Sequence, residues 1–337
     1  MINLKKKNTL LKRSIVINFL FVDLLILLFL SRHAIIGLRL CKAQETGSKI
    51  AFVANVNKNW DIFVYTYQSS KKSTNNTTSN LTQITKTPYD EKEPAWSPDG
   101  TSIIYSTTDG SIHRIICASL EHNTFDITSK QQKVGKLLHP TFSPDGKKIL
   151  FAQFKDQRID NSDIAIYDLE QESIRTFLAQ SSTQLYPVWS PCGEYIAYIN
   201  LHCALECGHI IQELWCAKAN GQSARQLLLT DAHCTHPAWS PDGKRIAFSS
   251  NMKGNFDIFI FNLNNLNNLN NNSLKQITTH KGLDSNPAWS PDGKEIAFIS
   301  TRAGAMAIWI KNLDSGQLHK LSPFSDDTIE CKDISWK

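Results

Sequence analysis

The chain has 337 residues, of which 41% are hydrophobic and 20% are charged, a composition that excludes a disordered, collagenous or polytopic membrane protein. Its formal net charge of +5 comes from one end, because residues 1–43 hold eight of the 36 Lys and Arg residues and one of the 31 Asp and Glu residues. The remaining 28 basic residues are outnumbered by 30 acidic ones. Such a near-neutral body lacks the clustered positive charge that binds phosphate, so no nucleic-acid partner is predicted.

Residues 1–43 have the pattern of an export signal. A basic segment, residues 1–13, precedes an apolar run at residues 14–31 that predicts a leader helix. Small residues before Gln44 offer a cleavage site, whereas an uncleaved leader would tether the protein to the inner membrane through residues 14–31. We therefore predict a signal peptide or an N-terminal membrane anchor at residues 1–43, and a periplasmic or secreted protein.

A short motif repeats along the rest of the chain. An aromatic residue followed by Ser-Pro-Asp-Gly, or by Ser-Pro-Cys-Gly in one copy, begins at Trp96, Phe142, Trp189, Trp239 and Trp289. The spacings are 46, 47, 50 and 50 residues, and a further 47 residues lead to Trp336. Pro, Asp and Gly suit successive positions of a tight turn, so each copy predicts a β-hairpin. With two further strands in each period, the repeat predicts the four-stranded blades of a β-propeller.

The two ends of the repeat region complement each other. The first unit, residues 49–85, has a second, third and fourth strand but no first strand, and the segment ending at Trp336 is a first strand without a unit. Pairing these two segments would close the ring and leave no unpaired edge at the seam. The predicted fold class is therefore all-β: a six-bladed β-propeller over residues 44–337, closed by pairing of its N- and C-terminal strands.

The Trp-Ser-Pro-Asp-Gly repeat resembles that of the TolB-type β-propellers, and the resemblance covers residues 49–337. The chain departs from that family in one respect, because only residues 44–48 separate the leader from the propeller, where TolB carries a separate α/β domain. The resemblance implies a non-catalytic, protein-binding propeller of the Tol-Pal cell-envelope system. It also implies a peptidoglycan-associated lipoprotein as the partner.

Six residues occupy equivalent positions ahead of the motif, one in each unit. Strand parity places the segment that enters each first strand near one mouth of the central channel, where equivalent positions converge. These positions hold Glu93, His139, Tyr186, His236, Asn286 and Asp333. In TolB-like propellers this mouth is a docking surface for a protein. The resemblance therefore implies that the six residues bind the partner. The alternative is that they are solvated loop residues without a ligand.

Cysteine and histidine residues cluster between the third and fourth motifs. Cys203, Cys207 and His209 belong to a connection from a second to a third strand, and Cys234 to a connection into a first strand. Strand parity puts these connections on the same face of adjacent blades. A disulfide would suit an oxidising compartment, whereas zinc would accept these ligands although their spacing matches no familiar zinc motif. Free thiols are the third possibility.

No sequence motif predicts catalysis. The chain contains no Gly-x-Ser-x-Gly nucleophile elbow, no dinucleotide- or phosphate-binding glycine motif and no His-Glu-x-x-His motif. We therefore predict an exported, non-catalytic protein-binding propeller that uses no cofactor. The alternative is a hydrolase acting on peptides or glycans at the channel mouth, where Glu93, His139, His236 and Asp333 could transfer protons.

Overall fold

The computed structural model describes residues 47–68, 80–109, 112–121, 123–128, 135–154, 161–204, 209–263 and 274–337, without the side chains of Cys203, Ala204 and His209. Every regular element in these ranges is a β-strand, and the strands form six four-stranded antiparallel sheets. The predicted all-β, six-bladed propeller is confirmed. Among the described residues there is no helix that is long and apolar enough to cross a membrane. The predicted leader at residues 1–43 lies outside the described residues and stays a prediction.

We number the blades 1 to 6 from the amino-terminal end and list the strands of each blade from the central channel outward. Blades 1 and 2 contain β24 (Cys331–Trp336), β1 (Ser48–Val56), β2 (Asn59–Tyr67) and β3 (Leu81–Gln83), and then β4 (Glu91–Trp96), β5 (Ser102–Asp109), β6 (Ile112–Ser119) and β7 (Thr124–Asp126). Blades 3 and 4 contain β8 (Leu137–Phe142), β9 (Lys148–Phe154), β10 (Ser162–Asp168) and β11 (Ser173–Leu178), and then β12 (Thr183–Trp189), β13 (Tyr195–Ala204), β14 (His209–Lys218) and β15 (Arg225–Gln226). Blades 5 and 6 contain β16 (Cys234–Trp239), β17 (Arg245–Ser250), β18 (Asp257–Asn262) and β19 (Leu274–Gln276), and then β20 (Asp284–Trp289), β21 (Glu295–Ser300), β22 (Ala307–Asn312) and β23 (Leu318–Lys320).

Blade 1 is completed by strands from both ends of the propeller. β24 pairs antiparallel with β1, and Trp336 lies opposite Ile50. The indole Nε1 of Trp336 donates a hydrogen bond to Ser48 Oγ at 2.8 Å, and the backbones of Lys49 and Lys337 exchange two hydrogen bonds of 2.5 and 2.8 Å. The predicted closure is therefore confirmed, and the segment ending at Trp336 is the innermost strand of blade 1.

The repeated motif forms the turn between the first and second strands of a blade. In the first copy, Asp99 Oδ1 accepts hydrogen bonds from the hydroxyl of Ser97 at 2.6 Å and from the backbone N–H of Thr101 at 3.1 Å. Gly100 follows with a φ of 69°, a conformation that a residue without Cβ adopts at little cost. The same two bonds to aspartate recur in three other copies, so these aspartates hold turns together.

The hydrophobic core lies between blades. The buried residues form six clusters, and each cluster joins two neighbouring blades, so every blade-to-blade interface has one. Phe52 of blade 1, for example, packs in one cluster with Ile299 of blade 6, and both are almost completely buried. A single four-stranded sheet cannot cover its own apolar faces, so stacking against two neighbours arranges the six sheets around the channel.

Candidate functional site

Each innermost strand is interrupted by a bulge beside the channel. In β4 the pairing register with β5 shifts between Lys92 and Ala95, so that Glu93 and Pro94 form the bulge, and four other blades have an equivalent X-Pro bulge. A proline has no N–H to donate and is tolerated at such a bulge on an edge strand. We call the six bulge residues the channel ring, and their φ angles lie between 49° and 58°: Glu93, His139, Tyr186, His236, Asn286 and Asp333.

The channel ring is held together by hydrogen bonds from blade to blade. The backbone N–H of Glu93 donates to Asp333 Oδ2 at 3.2 Å, the N–H of His139 donates to Glu93 Oε2 at 2.6 Å, and the N–H of Tyr186 donates to His139 Nδ1 at 3.4 Å. Asn286 Nδ2 donates to Asp333 Oδ1 at 2.9 Å. Side chains of the ring therefore satisfy the backbone donors of three of the bulge residues. A left-handed residue other than glycine costs roughly 1 kcal/mol or more, which these bonds offset.

Glu93 and His139 form the most polar part of the channel ring. His139 Nε2 lies 3.0 Å from Glu93 Oε1, and the hydroxyl of Ser106 donates to Glu93 Oε2 at 2.8 Å. Burial alone would raise the pKa of Glu93, but the adjacent His139 and the hydrogen bonds from His139 and Ser106 lower it to about 2. Burial and the nearby Glu93 raise the pKa of Asp333. The ring therefore places one firmly ionised carboxylate beside a second carboxyl group that resists ionisation.

The adjoining part of the channel ring, which begins at His139, is aromatic. The rings of His139 and Tyr186 have centroids 3.7 Å apart, and those of Tyr186 and His236 are 4.3 Å apart. Burial, with a smaller effect of His139, lowers the pKa of His236 to about 3, so its imidazole is neutral. The Nδ1 atom of His236 is buried and has no hydrogen-bond partner among the described residues. The backbone N–H of Asn286, the next ring residue, donates instead to Ser249 Oγ at 3.1 Å. The chain of bonds around the ring is therefore interrupted at His236.

All six residues of the channel ring line one open pocket of about 570 Å³. The pocket continues along the innermost strands toward the face formed by the Ser-Pro-Asp-Gly turns, which we call the turn face. Its remaining wall includes several prolines, Lys337 and four tryptophans: Trp189, Trp239, Trp289 and Trp336. This channel pocket thus has an aromatic and proline-lined wall and a polar floor that contains the ionised Glu93.

The six predicted site residues do converge on the channel, but their setting differs from the expected one. They lie within the innermost strands rather than in the segments that enter them, and each is buried or half-buried, so none is a solvated loop residue. The pocket that they line extends toward the turn face, whereas strand parity placed them at the opposite mouth. The proline after five of these residues indicates the bulge, because a proline inside a strand pattern interrupts the ladder.

The tryptophans of the motif mark the repeat in the sequence, and three of them, Trp189, Trp239 and Trp289, also line the channel pocket. Trp96 Nε1 donates to the carbonyl oxygen of Ser335 at 3.1 Å, and Trp289 Nε1 donates to that of Ala238 at 3.1 Å. These two indoles therefore each connect their own blade to the preceding one. The equivalent Nε1 atoms of Trp189 and Trp239 are buried and have no hydrogen-bond partner in the described ranges. The sequence indicates their position beside the channel, because an aromatic residue of the repeat ends the innermost strand of each blade.

The predicted cysteine cluster is only partly described. Cys207 lies outside the described residues, and Cys203 and His209 are described by their backbone alone. Cys234 has a free thiol that is buried in the interface between blades 4 and 5 and lies 3.8 Å from Ser250 Oγ. Burial raises the pKa of this thiol to about 12. No three His, Cys, Asp or Glu side chains within the described ranges are placed to bind a metal ion. The disulfide, metal and free-thiol alternatives for the four residues stay predictions.

Comparison with known proteins agrees with this architecture. A family model described as TolB beta propeller domain matches residues 42–232 and 161–335. No curated protein matches the chain. TolB from Acinetobacter baumannii superposes with a TM-score of 0.68 and 19% identity over 86% of this chain, and the chain spans 66% of that protein's length.

Two further solved structures show how widely this fold is used. A protein of Agrobacterium tumefaciens assigned as TolB has a TM-score of 0.61 and 17% identity over 86% of this chain and 98% of its own. An oligogalacturonate lyase from Vibrio parahaemolyticus has a TM-score of 0.54 and 15% identity over 83% of this chain and 75% of its own. At these identities the superpositions describe the fold, and the site has to be argued from its own chemistry.

Proposed function

The chain belongs to the TolB β-propeller domain family, and from this premise we propose that it is an exported, non-catalytic protein-binding module whose binding site is the channel pocket. The observation that carries the proposal is that one side chain from each of the six blades reaches the same open pocket. Such convergence builds a single composite site at the axis of the propeller. The basic and apolar leader of residues 1–31 supports export to the periplasm or the exterior, with the alternative of a tether to the inner membrane.

The walls and floor of the channel pocket favour a particular ligand chemistry. Trp189, Trp239, Trp289 and Trp336 offer broad apolar surfaces, which suit an extended peptide segment that inserts from the turn face. The two buried indole N–H groups of Trp189 and Trp239 have no hydrogen-bond partner among the described residues, so a small rearrangement would let them donate to peptide carbonyls. A partner protein of the peptidoglycan-associated lipoprotein type, as the family resemblance implies, would supply such a segment.

A second candidate function is a hydrolase that acts on peptides or glycans in the same pocket. It is favoured by the Glu93–His139 pair, in which a carboxylate oxygen lies 3.0 Å from an imidazole nitrogen, since such a pair can transfer a proton. The similarity in fold to an oligogalacturonate lyase shows that this kind of propeller can belong to an enzyme. We place this function second because the sequence contains no Gly-x-Ser-x-Gly nucleophile elbow and no His-Glu-x-x-His motif.

Binding to an envelope lipoprotein tests the proposal. The full-length protein is immobilised, the lipoprotein retained from the native envelope is identified and purified, and its affinity is then measured by calorimetry. His236→Ala is the informative variant, because the His236 Nδ1 atom has no hydrogen-bond partner in the part of the chain that the structure describes, so its loss breaks no bond there. We expect at least a roughly tenfold loss of affinity, as for a central contact residue.

Phe125→Ser serves as the matched control for this experiment. Phe125 lies on β7, an outermost strand, and is 52% exposed, so its replacement changes an apolar surface residue away from the channel. Its affinity for the partner should equal that of the wild type. Equal binding by wild type and His236→Ala would contradict the channel as the site. Turnover of a peptide or glycan panel that His236→Ala abolishes would instead establish the hydrolase.

A further inference from the structure

Two carboxyl groups meet inside the interface between blades 1 and 2, away from the channel pocket. Asp61 of β2 is 5% exposed and Glu91 of β4 is fully buried. Thr85 Oγ1 lies between them, 3.4 Å from Asp61 Oδ1 and 2.9 Å from Glu91 Oε2. Gln83 Nε2 donates to Asp61 Oδ2 at 3.0 Å, and Thr87 Oγ1 donates to Glu91 Oε1 at 2.5 Å.

Asp61 also accepts hydrogen bonds from the side chains of Gln83 and Asn59, but the two carboxyl groups compete for the single hydrogen of Thr85. The hydroxyl of Thr85 has one hydrogen, and its oxygen already accepts the backbone N–H of Ile62 at 2.8 Å. It can therefore donate to Asp61 or to Glu91 but not to both. Two buried negative charges that share one donor also repel each other strongly. One additional proton on the pair removes the repulsion and supplies the missing donor.

A related pair of buried carboxyl groups, Asp257 and Asp284, lies between blades 5 and 6, where a cation pairs with one of them. Asp257 accepts Gln276 Nε2 at 3.0 Å and Thr278 Oγ1 at 3.1 Å, and the N–H of Ile258 donates to Thr278 Oγ1 at 2.9 Å. Asp284 takes the place of Glu91, and Arg302 Nη2 lies 2.7 Å from Asp284 Oδ2. An arginine thus provides in one interface the positive charge for which a proton must substitute in the other.

Within the described ranges, the groups around the Asp61–Glu91 pair do not provide a positive charge that pairs with either carboxyl group. Tyr105 of β5 faces Glu91, and Asp90 accepts the backbone N–H of Trp60 at 3.3 Å. Lys332 of β24 lies with its Nζ 3.9 Å from the centre of the Trp60 ring and interacts with Asp333, Asp90 and Glu93 and with the adjacent Lys92. Burial and the neighbouring Asp61 raise the pKa of Glu91 to about 7, although hydrogen bonds from Thr87 and Thr85 oppose the increase. Burial likewise raises the pKa of Asp61.

We propose that Asp61 and Glu91 share one bound proton and form a pH-sensitive latch between blades 1 and 2. The proton comes from solvent and sits between the two carboxyl groups, so the protonated pair is a donor and an acceptor joined across the interface. Because the protonated form is favoured in the folded state, the latch holds fully below about pH 4.5 and weakens as the pH rises through about 7. The β3–β4 connection, which carries Thr85 and Thr87, then opens more easily in neutral and alkaline solution.

Hydrogen exchange of the full-length protein tests the latch, because the two interfaces can be compared within one molecule. The probes are residues 84–96 and the equivalent residues 277–289, each corrected for the intrinsic pH dependence of exchange. From about pH 5 to about pH 8, protection of residues 84–96 should fall roughly 50-fold to 100-fold, as the change in the carboxyl pKa requires. Protection of residues 277–289 should change by less than about threefold, because the ion pair between Arg302 Nη2 and Asp284 Oδ2 takes the place of the shared proton in that interface. An equal response of both segments would overturn the proposal even if no variant folds.

Two substitutions sharpen the test. Glu91→Gln places an amide where the protonated carboxyl stood, so it can donate to Asp61 and accept from Thr85 at any pH. Protection of residues 84–96 should then stay high at both pH values. Asp284→Asn is the matched variant in the cation-containing interface and should lower protection of residues 277–289 to the same extent at both pH values. A Glu91→Gln protein that keeps the wild-type pH response would show that another group controls this interface.

Discussion

Replacing Glu93 with glutamine tests whether the charge of the channel ring stabilises the closed propeller. The change preserves the shape of the side chain but removes the negative charge beside His139. The folded protein holds the pKa of Glu93 at about 2, against an ordinary value of 4.5. This difference corresponds to about 3 kcal/mol of stabilisation when the carboxylate is ionised. We therefore expect Glu93→Gln to lower the free energy of unfolding by about 3 kcal/mol at pH 7.

The pH dependence of this loss identifies its cause. A lowered carboxyl pKa stabilises the protein fully above about pH 4.5 and loses its effect as the pH falls toward 2, so the stabilities of wild type and variant should converge in acid. Urea unfolding followed by tryptophan fluorescence, from about pH 3 to about pH 8, measures the difference.

Asp333→Asn is the control within the same ring, because the pKa of Asp333 is raised rather than lowered. Its effect on stability should not grow as the pH rises from acid to neutral. A Glu93→Gln protein as stable as the wild type at pH 7 would refute the ring as a stabilising network. So would a difference between these two proteins that remains unchanged in acid.

Three other substitutions test separate features of the fold. Cys192→Asp should raise the thermal stability by about 0.5–1 kcal/mol, because it restores the turn acceptor that the other copies have; an unchanged melting temperature would contradict this. Arg302→Met should cost about 3–5 kcal/mol in urea unfolding, since it leaves the fully buried Asp284 unpaired, and a smaller loss would mean that another group neutralises Asp284. Trp336→Ala should cost about 3–5 kcal/mol through loss of the indole that closes blade 1, and wild-type stability would argue against that closure.

The architecture could be predicted from the sequence because it depends on local signals that repeat. Each Pro-Asp-Gly turn determines a hairpin through its own backbone preferences, and the number of regularly spaced aromatic residues gives the number of blades. The missing first strand before Ile50 and the extra one ending at Trp336 were sufficient to predict the closure, which the pairing of β24 with β1 confirms.

The details of the candidate site were less accessible, for a physical reason. Convergence of the six ring residues follows from their equivalent positions, but their hydrogen bonds depend on which side chain each blade offers to its neighbour. His139 can accept the N–H of Tyr186, whereas His236 does not accept that of Asn286, and no local pattern distinguishes the two histidines. The depth of the ring and the direction of the pocket also depend on the left-handed bulges. Only the proline after five of the six ring residues indicates these bulges in the sequence.

The pairing of β24 with β1 has a consequence for how the protein is made. Trp336 and Ser48, which this pairing brings into contact, are 288 residues apart in the chain. During synthesis, the inner edge of β1 therefore stays unpaired until β24 has been made. Such a long-range contact makes for slow assembly. A nascent chain that stalls before β24 would expose the unpaired inner edge of β1, so chaperones would meet a sheet that lacks only its innermost strand.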